Sequence, residues 1–315
     1  MTGGKNYDQK EQGVAALAAG NRSIVHACSM RRGIAQIKEN HEEIFMKIDF
    51  DLLNVEITSR VATVVIDNPP INIITLPLYA ELMQLVEDLQ RNPDLSVVVF
   101  KSANPDFFLA HFDVEAILQF PIEGNAERSA EPNPFHLMCE RLRNMDKVTI
   151  AQIEGRVGGG GSELVASMDM RFGVMGKTIV NQMEVPLGIL PGGSGTQRLP
   201  RLVGRGRAME IVLGAEDLDA ETAERWGYLN RIYEASDIDQ AVDNLAQRIA
   251  RFPQPALRLA KASVNAAELP LAHGLSEEAY LFARLLRTDE AQIAMRKFMA
   301  MGGQTREGEM RVADL

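Results

Sequence analysis

The chain has 315 residues, of which 46% are hydrophobic and 24% charged, and its formal net charge is −10. That length supports one large domain or two small ones with a substantial core, and the acidic balance argues against a nucleic-acid binder that works through a general basic field. Cys28 and Cys139 are too few for a disulfide framework and lack metal-ligand spacing, no apolar run is long enough to span a bilayer, and the N-terminus lacks a secretory pattern. A cytoplasmic protein with no membrane and no nucleic-acid partner is expected.

Residues 1–45 are rich in Gly, Asn, Gln, Lys and Glu and read as an N-terminal extension, a mobile tail or loose helix. Residues 55–58 alternate and 62–66 are β-branched, with Ser59-Arg60 between them as a tight hairpin turn. Asn68-Pro69-Pro70 stops the second strand. Thr75 then caps a helix with Pro77 in its first turn and Leu78, Leu82, Leu85 and Leu89 at helical spacing. Residues 97–100 form a short apolar strand, and 148–153 a buried one. Gly158 to Gly161 reads as a tight turn, followed by a helix over 163–168 and a strand over 170–174. Strands alternating with helices predict an α/β architecture. After Gly192 the chain turns helical, over 208–213, 220–226 capped by Asp219, 237–251 capped by Ser236, 255–267 and 276–301. No clean sequence repeat is visible.

No His-Glu-x-x-His, Walker A, Gly-x-Gly-x-x-Gly or Gly-x-Ser-x-Gly sequence occurs, and the five histidines form no metal-spaced group, so no metal is expected. What remains is Gly158-Gly159-Gly160-Gly161-Ser162-Glu163-Leu164, a glycine run between an apolar strand and a helix. An isolated glycine run is ordinarily a flexible turn. Here the following helix aims free N–H groups and a positive dipole end at whatever lies beside it, which suits developing negative charge. Glu163, in the first turn of that helix, and Glu184, in Asn181-Gln182-Met183-Glu184-Val185, are the candidate acid/base groups. Either alone reads as a solvated surface carboxylate. Near one oxyanion site, one could deprotonate a water while the other delivers a proton to carbon. Residues 188–199 read as a structural Pro/Gly turn entering a helix, and Arg198, Arg201, Arg205 and Arg207 as a solvated helix face.

Four stretches together resemble the crotonase (enoyl-CoA hydratase/isomerase) superfamily: 61–72 with Asn68-Pro69-Pro70-Ile71-Asn72, then Phe108-Leu109-Ala110-His111-Phe112-Asp113, then 153–169 with the four glycines, and 184–199. The resemblance covers about 55–300. It implies a spiral of ββα units over 46–250 and a helical C-terminal region over 251–315 that takes part in trimerisation, as a homotrimer or dimer of trimers. It also implies that the Phe112 and Gly160 N–H groups form an oxyanion hole for an acyl-CoA thioester. Glu163 and Glu184 match the two catalytic glutamates of enoyl-CoA hydratases, and Ala110, His111, Asp113 and Gly159 flank the substrate. Coenzyme A enters as part of the substrate, and no other cofactor is implied; Lys261 and Lys297 are candidates for its phosphates. Having both glutamates favours hydration over isomerisation, hydrolysis or decarboxylation of an acyl-CoA, and over a non-catalytic CoA-binding scaffold. Two positions depart from the pattern. His111 stands where the family usually has glycine, and Met183 where hydratases often have proline.

Overall fold

The computed structural model describes residues 36–40 and 43–314, and the surroundings of side chains over 50–313. Most of the expected N-terminal extension lies outside the described residues. Its end does not: β1 (Gln36–Asn40) pairs antiparallel with β2 (Glu43–Asp49), and β2 with β3 (Leu53–Thr58). The boundary expected at residue 45 therefore falls inside β2. The β3–β4 (Val61–Ile66) hairpin turns at Ser59 and Arg60 as expected, both at positive φ, the conformation a two-residue hairpin loop requires.

Helix α1 (Leu76–Arg91) starts where Thr75 accepts a hydrogen bond from the Leu78 N–H, and it buries Leu78, Leu82, Leu85 and Leu89. From β5 (Val97–Ser102) onward the chain repeats one motion. β5 is followed by β6 (Phe107–Leu109), β7 (Val148–Ile153) by β8 (Arg156–Gly158), and β9 (Met170–Val174) by β10 (Ile179–Asn181). The first of each pair joins a large sheet ordered β1-β2-β3-β4-β5-β7-β9-β12, with β12 at Arg231–Tyr233. The second joins a small sheet ordered β11-β10-β8-β6, with β11 at Leu218–Asp219. Helices α2 (Val114–Ile117) and α3 (Pro134–Asn144) follow β6, α4 (Gly159–Val165) follows β8, and α5 (Gly195–Val203) and α6 (Arg205–Met209) follow β10. This is the spiral of ββα units. The repeat is one of backbone path, which is why the residues alone do not display it.

The period of two sorts the large sheet's side chains. Ala62, Val64, Ile66, Val98 and Phe100 face the main core, while Val61, Val97 and Val99 face α8 (Ile238–Ala250) through Ile238, Val242 and Ala246. Helix α7 (Ala220–Trp226) is capped by Asp219, whose carboxylate accepts from the Thr222 N–H at 2.7 Å. The cap expected at Ser236 lies one residue on, since α8 begins after Asp237. The helix expected over 276–301 is two, α10 (Leu271–Leu285) and α11 (Asp289–Ala300), after α9 (Gln254–Asn265). Thr288 separates them by accepting from the Ala291 N–H as a new N-cap. A four-residue helix α12 (Arg306–Glu309) follows. Among the described residues, no helix is long and apolar enough to cross a membrane.

Candidate active site

Strands β6, β8 and β10 are parallel neighbours, so the loops leaving their C-terminal ends emerge on one edge of the small sheet. That edge brings together residues 110–113, the start of α4, and 182–184, which sequence places far apart.

The first loop is fixed by Ile74. Its N–H donates to the His111 carbonyl at 2.8 Å, and its carbonyl accepts from the Asp113 N–H at 3.1 Å, in a parallel bridge between Ile74 and Phe112. In such a bridge the intervening residue directs its own N–H to the opposite side. The Phe112 N–H is therefore turned away from Ile74. A methyl group on Gly160 would lie 3.5 Å from the Phe112 nitrogen and 3.2 Å from its Cβ, so the two segments touch there. Ala110 is held by its N–H, which donates to the Asn72 carbonyl at 3.1 Å, and its own carbonyl would lie 2.6 Å from a methyl on Gly158. Asp113 caps α2, its carboxylate accepting from the Glu115 N–H at 2.9 Å.

Asn72 supports this loop from below. Its side-chain amide donates to Ser102 Oγ at 2.8 Å and lies within hydrogen-bond reach of the Phe107 and Phe108 carbonyls, while its backbone holds φ +52°. Asn72→Ala should destabilise the protein by about 2 kcal/mol, because it strands buried acceptors, and should lower turnover as the first loop loosens. Thermal melting and steady-state kinetics check both.

The glycine run is not a separate tight turn. Gly158 ends β8 and Gly159 to Gly161 form the first turn of α4. The run stays glycine because the first loop presses on it: a methyl on Gly161 would sit 2.5 Å from the Leu109 carbonyl oxygen. N–H groups in a helix's first turn have no intrahelical partner, and that of Gly160 is among them. Starting the helix at Gly159 also moves Glu163 from the expected first turn into the second. There it is buried, 3% exposed, and its Oε1 accepts from the Gly193 N–H at 2.8 Å and the Gly195 N–H at 2.7 Å. The segment around Gly193 and Gly195, expected to be only a structural turn, is thus the clamp on this carboxylate. The glycine spacing of the clamp was visible in the sequence; its target was not.

Glu184 stands just before a short 3-10 turn, Val185–Leu187, and is 8% exposed. A methyl on Gly159, at φ +45°, would lie 3.1 Å from both Glu184 Oε1 and His111 Cβ, so Gly159, His111 and Glu184 meet at the start of α4. Gln182 is fully buried beside them. Its amide nitrogen faces the Gly159 carbonyl at 3.3 Å and the Glu184 carboxylate, and its Oε1 has no hydrogen-bond partner among the described residues. Nothing in the sequence distinguished it from any other glutamine. Tyr79, Phe112 and Phe135 wall one side, with ring centroids 5.8 to 6.1 Å apart.

Burial pushes the Glu163 carboxyl up to about 7, aided by the charge of Glu184 and opposed by the two backbone donors. Burial also raises Glu184, against its hydrogen bonds and the influence of His111. Burial thus shifts both carboxyls toward the protonated form, and the nearby Glu184 charge adds to the rise at Glu163. The raised Glu163 value also ties stability to pH. Its favourable contribution is full below the unfolded value of 4.5 and is lost as pH rises to about 7. Glu163→Gln, which keeps an acceptor oxygen for Gly193 and Gly195, should gain stability relative to the parent on going from pH 4 to pH 8. Denaturant melts at the two pH values measure this.

Two expectations about basic residues change. Arg198 is buried rather than solvated, bonding Ser194 Oγ at 3.1 Å and pairing with Glu140, whereas Arg201, Arg205 and Arg207 are exposed as expected, Arg207 lying over Trp226 at 5.6 Å. Lys261 is already committed to Asp169 and the Lys147 carbonyl, each at 2.8 Å, which leaves it little to offer a phosphate. A cavity of about 690 Å³ between α9 and the ends of β7 and β9 is lined by Arg171 and Lys261 and contains neither site glutamate.

Residues 56–304 match the enoyl-CoA hydratase/isomerase family. The chain belongs to the enoyl-CoA hydratase/isomerase family. As a family member it is an enzyme, with the mixed α/β fold of the crotonase superfamily. It is 28% identical over 243 residues to the short-chain-enoyl-CoA hydratase of Clostridium acetobutylicum, covering 76% of this chain and 91% of that protein. It is also 28% identical over 295 residues to the mitochondrial methylglutaconyl-CoA hydratase of Rattus norvegicus, covering 88% and 91%. Among solved structures it resembles one from Geobacillus kaustophilus (TM-score 0.73, 28% identity, 81% of this chain and 96% of that one). The enoyl-CoA hydratase from Thermoplasma volcanium is similar too (TM-score 0.68, 26% identity, 78% and 96%).

Proposed function

We propose that this family member is an enoyl-CoA hydratase, adding water across the α,β double bond of an acyl-CoA. The observation that carries the reading is the pair of buried glutamates, Glu163 and Glu184, flanking the loops that bear the Phe112 and Gly160 N–H groups. The two N–H groups receive the thioester oxygen. As the oxygen of water bonds to Cβ, one glutamate, ionised, takes the proton that water releases. The double-bond electrons move onto the thioester oxygen as an enolate, and the other glutamate, protonated, delivers its proton to Cα. A pair holding a single proton supplies the base and the acid at once. The step needs no metal or redox group, and coenzyme A enters only with the substrate.

The exposed apolar side chains of the C-terminal helices, among them Leu271, Leu275, Phe282 and Ile293, support assembly into a homotrimer or dimer of trimers. The reaction is tested by product analysis after incubation with crotonyl-CoA and, separately, with a Δ3-enoyl-CoA. The 3-hydroxyacyl thioester from crotonyl-CoA supports hydration. Conversion of the Δ3 isomer to the Δ2 thioester with no hydration of either substrate would reassign the chain to isomerisation.

A further inference from the structure

We infer that His111 is a positioning residue, a side-chain clamp that sets the direction of the first oxyanion donor. The inference rests on the oxyanion-hole reading above. The Phe112 N–H can serve a thioester oxygen only if the two peptide units around it are held still. The unit before it is held by Ile74, whose N–H donates to the His111 carbonyl at 2.8 Å. The unit after it is held twice. The Asp113 N–H donates to the Ile74 carbonyl, and the Phe112 carbonyl lies 2.8 Å from His111 Nδ1.

A carbonyl oxygen can only accept, so Nδ1 must carry the hydrogen in this contact. His111 thus reaches forward one residue and ties down the Phe112 carbonyl, which Ile74 does not engage. Its Cβ packs at the site itself, in the space that a methyl on Gly159 would contest. The half-buried side chain is therefore held at both ends, its Cβ beside Gly159 and its ring by the bond to Phe112. A glycine at 111 offers neither anchor, and residues 110–113 would keep their backbone hydrogen bonds to Ile74 and Asn72 and their packing on α4, with the Phe112 carbonyl untied. Histidine at this position converts a loop held on one side into a loop held on both.

The test uses His111→Ala and His111→Asn. The asparagine amide nitrogen occupies much the place of Nδ1 and can donate to the same carbonyl. Two readouts are needed: kcat and KM for crotonyl-CoA, and the thioester carbonyl stretch of bound butyryl-CoA, a saturated thioester that cannot be hydrated. The carbonyl stretch reports how strongly the N–H groups polarise the oxygen, and a residue that merely fills space would not move it. His111→Ala should lower kcat by about tenfold with KM changed less than about threefold, since a donor is loosened rather than removed. It should also shift the bound carbonyl stretch toward its free position. His111→Asn should recover most of both losses. The inference is overturned if the stretch is the same in all three proteins, or if His111→Asn loses as much as His111→Ala while both melt as cooperatively as the parent. If the parent hydrates nothing yet its carbonyl shift depends on His111 in this way, the hydratase reading fails and the clamp stands.

Discussion

Glu163→Gln should lower kcat for crotonyl-CoA hydration by about 10³-fold while changing KM by no more than about threefold, within the range for removing a positioned acid or base. The substitution is close to isosteric. Its side-chain oxygen can still accept from Gly193 and Gly195, so the clamp and the helix survive. What disappears is the ability to exchange a proton. A loss confined to kcat would place the role of Glu163 in the transition state rather than in substrate binding. Retention of full turnover would remove Glu163 from the chemistry, and the clamp would then be only a means of burying a carboxylate. Glu184→Gln should behave similarly, because hydration needs both a base and an acid in the same site.

Gly161→Ala should destabilise the fold by about 3 kcal/mol, roughly 5–10 °C in melting temperature, and reduce turnover by about 10²-fold. The added methyl would meet the Leu109 carbonyl oxygen at 2.5 Å and the Leu109 Cβ at 2.6 Å. The first contact is with backbone, so no rotamer change relieves it. The start of α4 and the loop after β6 must move apart, and those segments bear the Gly160 and Phe112 N–H groups. A second substitution separates crowding from any special need for glycine: Gly176→Ala, at an open positive-φ turn with nothing within 4 Å, should destabilise by about 1 kcal/mol and leave turnover intact. If Gly161→Ala melts and turns over like the parent, the close approach of the two loops is not what fixes the site.

Much of this organisation was legible in the residues. The hairpin at Ser59-Arg60, the Thr75 cap and the leucine spacing of α1 are local signals, and local sterics decide them. Helix α3 was missed although Asn133 caps it and Pro134 opens it, both local signals; other missed elements are ones that tertiary context decides. Strands β11 and β12, of two and three residues, are too short to carry a period and exist only because β10 and β9 offer them an edge. The glycine run was read as a turn, whereas Gly159 to Gly161 open α4, since glycine's weak helix propensity hides a helix start that close packing requires. At the site, Glu163 and Glu184 could be named from motif and spacing. The clamp formed by Gly193 and Gly195, the buried Gln182 and the support from Asn72 could not, because each depends on which loops share the edge of the small sheet.

The most direct test of the account follows the conjugated-thioester absorbance of crotonyl-CoA with the parent protein, Glu163→Gln and Glu184→Gln side by side. The parent should consume the absorbance steadily, and both variants should lose nearly all of that rate. A parent that binds crotonyl-CoA but never hydrates it, or variants as fast as the parent, would contradict it.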